Sequence, residues 1–171
     1  MALLSILTYP DQRLKQVSSP VESVDDGLRA FIADLEETMR HGPGGVGIAA
    51  PQVGNFIRVA IVDVSVKNIA GKPKIPQHGR LILINPEITK WDGMKVGREG
   101  CMSVPDFTGN VIRAEQIKLN YLDERGEAQT IEATGYEARA IQHEMDHLDG
   151  MLFLDRLVSR RNDLFKRKVY K

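Results

Sequence analysis

Gln142-His143-Glu144-Met145-Asp146-His147-Leu148 is the run around which the rest of the chain can be read. Two histidines four residues apart on a helix lie one turn apart on one face, so both imidazoles can reach a single ion. Glu144 is rotated by about 100° from His143 and points beside such an ion, not at it. A carboxylate there can act on a water molecule as a base, the pattern of a hydrolase that makes its nucleophile from water. The periodicity predicts a helix from about Glu137 to Leu148. Ala138, Ile141, Met145 and Leu148 recur at helical spacing and should face a core. His143 and His147 flank that stripe, so the ligand edge borders a buried surface, and ligands held by core packing need little reorganisation. Gly150 suits the left-handed position that ends such a helix.

H-E-x-x-H alone is a weak signal and needs a third ligand. The extended form with a further histidine is absent, because position 153 is Phe153, and no glutamate follows Glu144. Asp149 and Asp155 remain candidates, while His41 and His78 lie in or near segments rich in glycine and proline. Cys101, the only cysteine, is the stronger candidate, since a thiolate binds borderline metals tightly. It sits in Glu99-Gly100-Cys101-Met102-Ser103, where Gly100 lets backbone approach a ligand. A lone buried cysteine is otherwise a small apolar residue.

A third segment is small and apolar and ends in an amide: Gly45-Val46-Gly47-Ile48-Ala49-Ala50-Pro51-Gln52. It is either a ligand-approaching loop or an ordinary turn entering a short helix. It is not a phosphate loop, because no G-K-[ST] follows.

The layout is mixed α and β. Residues 11–16 suit a helical turn. Ser23-Val24-Asp25-Asp26 resembles a capping box. After it Leu28, Phe31, Ile32, Leu35 and Met39 are spaced as a helix, with Arg40, His41 and Gly42 at its end. Strand-like runs occupy 57–62, 81–84, 88–91, 94–98, 116–122 and 129–134, with a hairpin loop at 123–127. Residues 67–79 read as an exposed loop within one domain spanning 1–171. The fold class expected is α+β, with mixed or antiparallel sheets around the central H-E-x-x-H helix and a C-terminal helix or tail at about 159–171.

With 171 residues the chain is one ordinary domain, 42% hydrophobic and 27% charged, which is globular. The formal net charge of zero gives no case for DNA or membrane binding. One cysteine makes no internal disulfide and fits a reducing compartment. The start, Met1-Ala2-Leu3-Leu4-Ser5, lacks the layout of a signal peptide, so a cytoplasmic location is expected.

Taken in order, the segments at 45–52, 99–103 and 142–148 resemble the three motifs of the peptide deformylase family. Ile6-Leu7-Thr8-Tyr9-Pro10-Asp11-Gln12-Arg13-Leu14 and Ile84-Asn85-Pro86 are similar to that family as well, and the resemblance covers about residues 4–158. Met102 stands where the family motif has leucine, a volume-conserving change, and the segment at 66–80 looks longer than usual.

The resemblance implies removal of the formyl group from N-terminal formylmethionine of new chains, giving formate and a free amine. It implies one divalent metal on Cys101, His143 and His147, iron(II) in the cell, with zinc, nickel or cobalt also suited to the site. Glu144 would be the general base, with the Gln52 amide and the Met102 backbone N–H as oxyanion donors. Val46, Gly47, Tyr136, Arg139, Ala140 and His143 would wall the methionine pocket, Arg139 through its aliphatic stem with its head in solvent. The rest of the peptide would pair with backbone near Val46, Gly47 and Gly100. Glu99 would accept from a ligand histidine or from Arg113, and Asp146 would orient the helix.

Arg156, Arg160, Arg161, Lys166, Arg167, Lys168 and Lys171 face only Asp155 and Asp163, with Leu157, Leu164 and Val169 as a thin apolar stripe. By resemblance this tail would dock on ribosomal RNA near the exit tunnel; otherwise it is a solvated helix. A zinc endopeptidase and a non-enzymatic domain with a structural metal are the competing classes. The first lacks its downstream ligand, and the second wants four closed protein ligands.

Overall fold

Asp25 starts the first long element. Its carboxylate accepts from Leu28 N at 2.8 Å, and helix α1 follows over Asp26–His41. The cap is thus Asp25, two residues beyond the serine expected to fill that place. The structure, a computed structural model, describes residues 2–42 and 45–167. Along the chain come strands β1 (Gly47–Ala49), β2 (Val59–Val62), β3 (Leu81–Asp92), β4 (Lys95–Cys101), β5 (Val104–Arg113), β6 (Gln116–Leu122) and β7 (Ala128–Thr134). Helix α2 (Gly135–Leu148), the short α3 (Arg160–Asp163) and strand β8 (Leu164–Lys166) complete it.

A five-stranded antiparallel sheet, ordered β1-β2-β3-β6-β7, lies between the two long helices. Alternation along its inner strands shows this. Ile61, Ile82 and Ile84 join Ile32, Leu35 and Met39 of α1 in one core cluster. Val62, Leu81 and Leu83 join Ala138 and Ile141 of α2 in another. A strand buried on both faces reads as an unbroken apolar run, which is what Val59-Ala60-Ile61-Val62 and Leu81-Ile82-Leu83-Ile84 are.

The runs at 81–84 and 88–91 belong to one strand. Its register shifts at Asn85-Pro86, where Asn85 adopts φ 50° and its side chain bonds both backbone groups of Val21. Left-handed backbone is tolerated by Asn, and the local break hid the continuity. The run at 94–98 extends to Cys101. β5 had no sequence counterpart, because Pro105 and Gly109 interrupt its pattern.

The second sheet, β4-β5-β8, is also antiparallel and covers Cys101, Val104, Val111, Leu152 and Phe153. The C-terminal helix is a single turn, capped by Ser159. The chain then becomes strand β8 against Phe107, Thr108 and Gly109. Leu164 packs on the core beneath and is no part of a solvated stripe, while Lys168, Val169 and Lys171 lie outside the described residues. Among the described residues no helix is long and apolar enough to cross a membrane.

Helix α2 packs against β1 and β2 and begins two residues earlier than its periodicity suggested. Ala138, Ile141 and Leu148 are fully buried, as expected, and Met145 is partly so. Gly150 has φ 74° and lies against the main chain of Lys15, so a side chain there would be both strained and obstructed.

Candidate active site

Three elements meet at the site. β4 ends on Cys101, α2 carries His143, Glu144 and His147, and the turn after β1 carries Gln52. One donor atom from each of Cys101, His143 and His147 falls within 4.8 Å of the others, and all three residues are buried. Cys101 Sγ is 3.3 Å from His147 Nε2. His143 Nδ1 faces Glu99 Oε1 at 2.8 Å, which leaves Nε2 for the cluster. One thiol and two imidazoles, converging and buried, fit a single divalent cation of borderline softness.

The other candidates are occupied elsewhere. Asp149 pairs with Arg58 at 3.0 Å, and Asp155 caps Leu152 N. His41 sits by the Glu37 carbonyl at the end of α1, and His78 lies on Glu137.

Burial gives Glu144 its character. The buried carboxyl is raised to about 7, with the nearby Glu99 charge adding to the effect and His143 opposing it. Among the described residues its Oε2 has no hydrogen-bond partner. Its Oε1 lies 3.9 Å from His143 Nε2. Gly47 makes room for it: a Cβ there would stand 2.9 Å from Oε1. His147 is held well below the usual histidine range, by burial first and the neighbouring His143 second. Burial opposes a charge on His143 too, but Cys101 and Glu99 outweigh it and raise its pKa.

Gln52 is 1% exposed and held at both ends of its amide. Oε1 accepts from Ala49 N at 2.9 Å, so Nε2 must face the cluster, where it donates to Ser103 Oγ at 3.0 Å and lies 3.4 Å from Cys101 Sγ. The N-terminal segment is stitched over this corner by Leu7 N to Gln52 O and Tyr9 N to Ser103 O, each 2.7 Å.

Behind the ligands is a buried ion network. Glu99 takes two hydrogen bonds from Arg113, one from Arg139 and one from His143. Burial alone would raise its carboxyl, but the bonds from His143 and Arg113 hold it well below the usual carboxylate range. Asp146 takes Arg113 and Arg156. Glu99 therefore has both of the partners expected for it, and Asp146 is a buried acceptor for two arginines.

Arg139 differs from expectation. Its head is not in solvent: it bonds Glu99 and the carbonyls of Val111 and Lys95, tying α2 to both β4 and β5. The local sequence could not show this, because the acceptors come from strands far away in the chain.

A cavity of about 500 Å³ opens onto the cluster. Val46, Gly47, Gly100, Met102, Tyr136, Arg139 and Ala140 line it, together with Gln52, Cys101, His143 and Glu144; His147 lies behind. Ile6, Pro105, Arg98 and Arg167 line it as well and were not foreseen. Arg98 sits one residue from the Glu99 motif, but nothing local to Arg167 signals a place in the cavity.

Comparison with known proteins agrees with this architecture. The family profile described as polypeptide deformylase matches residues 3–163. The peptide deformylase of Alkalilimnicola ehrlichii is 44% identical over 171 residues, covering 100% of this chain and 91% of that protein. That of Thermodesulfovibrio yellowstonii is 40% identical over 168 residues, covering 98% and 97%. The crystal structure of the Ehrlichia chaffeensis enzyme in complex with actinonin superposes with a TM-score of 0.86 at 39% identity, covering 94% of this chain and 91% of that one. A profile match across nearly the whole chain, relatives at 40–44% identity and a shared fold have one reading: the chain belongs to the polypeptide deformylase family.

Proposed function

We propose that the enzyme hydrolyses the N-terminal formyl group of formylmethionyl peptides, releasing formate and a free α-amine. The observation that carries this is the convergence, in one cavity, of a Cys-His-His cluster with an unpartnered buried carboxylate and an anchored amide donor. Cys101, His143 and His147 would hold a divalent cation, iron(II) in the cell with zinc, nickel or cobalt as substitutes, and that ion would supply the Lewis acidity to lower the pKa of water from about 16 towards neutrality.

Glu144 takes the proton from the attacking water. With a carboxyl near 7 it can hold that proton at neutral pH and return it to the amide nitrogen, which must be protonated as the C–N bond breaks. The oxyanion formed at the former formyl oxygen is met by Gln52 Nε2 and the Met102 backbone N–H; one such donor is worth about 3–4 kcal/mol in other hydrolases.

Val46, Gly47, Tyr136, Ala140, His143 and the stem of Arg139 wall the methionine side chain. The downstream peptide runs extended beside Val46, Gly47 and Gly100, where main-chain pairing tolerates many sequences. A formyl group carries only hydrogen beyond its carbonyl carbon, so a close-fitting site excludes acetyl.

The reaction belongs to the cytoplasm, with the exposed Arg160, Arg161 and Lys166 docking near the ribosomal exit tunnel. Replacing these three by glutamate should weaken salt-sensitive ribosome binding, and unchanged affinity rejects that partner.

The deciding experiment is formate release from a short formyl-Met peptide by anaerobically purified enzyme, with and without chelator. An acetyl-Met peptide and an unformylated protein run in parallel. Chelator-sensitive formate release with the acetyl peptide intact is expected, as is inhibition by actinonin. Internal cleavage of the unformylated protein would instead mark an endopeptidase.

A further inference from the structure

The charged residues lining the cavity divide into two kinds. Glu99 and Arg139 neutralise each other within the buried network, and Glu144 stands at the cluster. Arg98 and Arg167 are different, since among the described residues neither forms a salt bridge. Arg98 donates to Asn110 Oδ1 at 3.1 Å and Thr108 Oγ1 at 3.3 Å, and its guanidinium lies 3.8 Å over the Phe165 ring. Among the described residues Arg167 Nη2 reaches the carbonyls of Cys101, Val104 and Phe107 at 3.3–3.4 Å, and its buried Nε has no partner there.

The two belong to one construction. Thr108 of β5 pairs with Gly100 of β4 on one side and Phe165 of β8 on the other. Arg98 therefore reaches across β5 to stack on β8, and Arg167, just after β8, comes back across β5 to lie on Gly100. A Cβ at Gly100 would stand 2.7 Å from Arg167 Nη2, so a side chain there would displace the guanidinium from this place. The cavity wall made by this sheet thus carries two guanidiniums held by neutral groups, with no carboxylate among the described residues to balance them. Fixed, unpaired guanidiniums at the edge of a peptide cavity are a ready receptor for a carboxylate.

We propose that Arg98 and Arg167 form a carboxylate-selecting subsite for an acidic side chain of the substrate, downstream of the formylmethionine. It rests on the deformylation reading above and adds a charge preference to an otherwise sequence-tolerant groove.

The test uses full-length, metal-loaded enzyme and C-terminally amidated formyl-Met tetrapeptides, so that no terminal carboxylate competes. Glutamate, glutamine or lysine is placed at the second, third or fourth position in turn. At one of these positions kcat/KM for glutamate should exceed that for lysine by about tenfold, the scale of two exposed ion pairs. The difference should lie mainly in KM and shrink in about 0.5 M salt. Within each variant only the glutamate-to-lysine ratio is read, so a general loss of activity does not obscure it. Arg98→Gln and Arg167→Gln should each reduce the ratio, the double variant should bring it near one, and Arg167→Lys should keep most of it. Equal turnover of glutamate and lysine peptides at all three positions, or a ratio unchanged in the double variant, overturns the subsite. If no formyl peptide is hydrolysed, the deformylation reading falls and takes this one with it; if neutral ones are hydrolysed without charge preference, only the subsite falls.

Discussion

Glu144 is held where a carboxylate is uncomfortable, and that discomfort is measurable. An acid whose folded pKa lies above its unfolded value favours folding when protonated. Its contribution is fully present below the unfolded pKa near 4.5 and is lost as pH rises through the folded value of about 7. In protein stripped of metal, Glu144→Gln should therefore stabilise at pH 8, by at most about 3 kcal/mol, and do little at pH 4.5. Denaturation at the two pH values checks this, and equal shifts at both would mean that burial does not hold the carboxyl neutral. The same variant, loaded with metal, should lose two to four decades of turnover, the usual worth of a general base. Gly47 offers a second test at this scale. A methyl group there would press within about 3 Å of three side-chain atoms of Glu144, Oε1, Cδ and Cγ. Gly47→Ala should fold with its metal site intact yet lower kcat by more than tenfold, because small misplacements of a reacting group are costly. Normal turnover would show that the base can shift without consequence.

Among the elements, Arg113 of β5 is the joint. It bonds Glu99 of β4 and Asp146 of α2, and all three side chains are at most 8% exposed. The ligands Cys101 and His143 are neighbours of those carboxylates in sequence or by contact, so the joint sets the distance between the strand ligand and the helix ligands. Removing the cation leaves Glu99 only Arg139 and His143, and Asp146 only Arg156, so Arg113→Met should cost about 3–5 kcal/mol. Chemical denaturation reads it; a loss under about 1 kcal/mol would mean that Arg139 and Arg156, already bonded to these carboxylates, balance them without Arg113. Sequence reading reached part of this joint. The helix, its buried stripe and the three ligands follow from spacing and donor chemistry, which are local properties, and Glu99 with Arg113 was within reach because ligand histidines need such a partner. The head of Arg139 was out of reach, since its acceptors are main-chain carbonyls whose position only the folded sheet defines. β5 was missed for the opposite reason: Pro105 and Gly109 break its alternation, and the pairing on both sides that restores it is tertiary.

For the molecule as a whole, the order of the chain decides how the ligands are held. The large sheet packs on both helices, whereas the small sheet, which ends β4 on Cys101, is completed only by the last described strand. β8 pairs along Phe107, Thr108 and Gly109, Leu164 packs on the cluster that contains Cys101 and Phe153, and Arg167 donates to the Cys101 carbonyl. Basic charge and thin hydrophobicity make this stretch read as a docking tail or a solvated helix, because a three-residue strand has no periodicity of its own. Deleting 164–171 should therefore lower stability by about 2–4 kcal/mol, the scale of a lost core leucine. It should also weaken metal retention, because the backbone of the strand ligand loses its support. Denaturation midpoints and metal content after dialysis against a chelator measure the two effects separately. If both fall, the C-terminal strand is part of the scaffold of the metal site. If stability falls while metal retention does not, β4 is held by β5 alone and the strand serves only the core beneath it. If neither changes, the strand belongs to the surface, and the cavity wall that Arg98 and Arg167 share must be supported from β5.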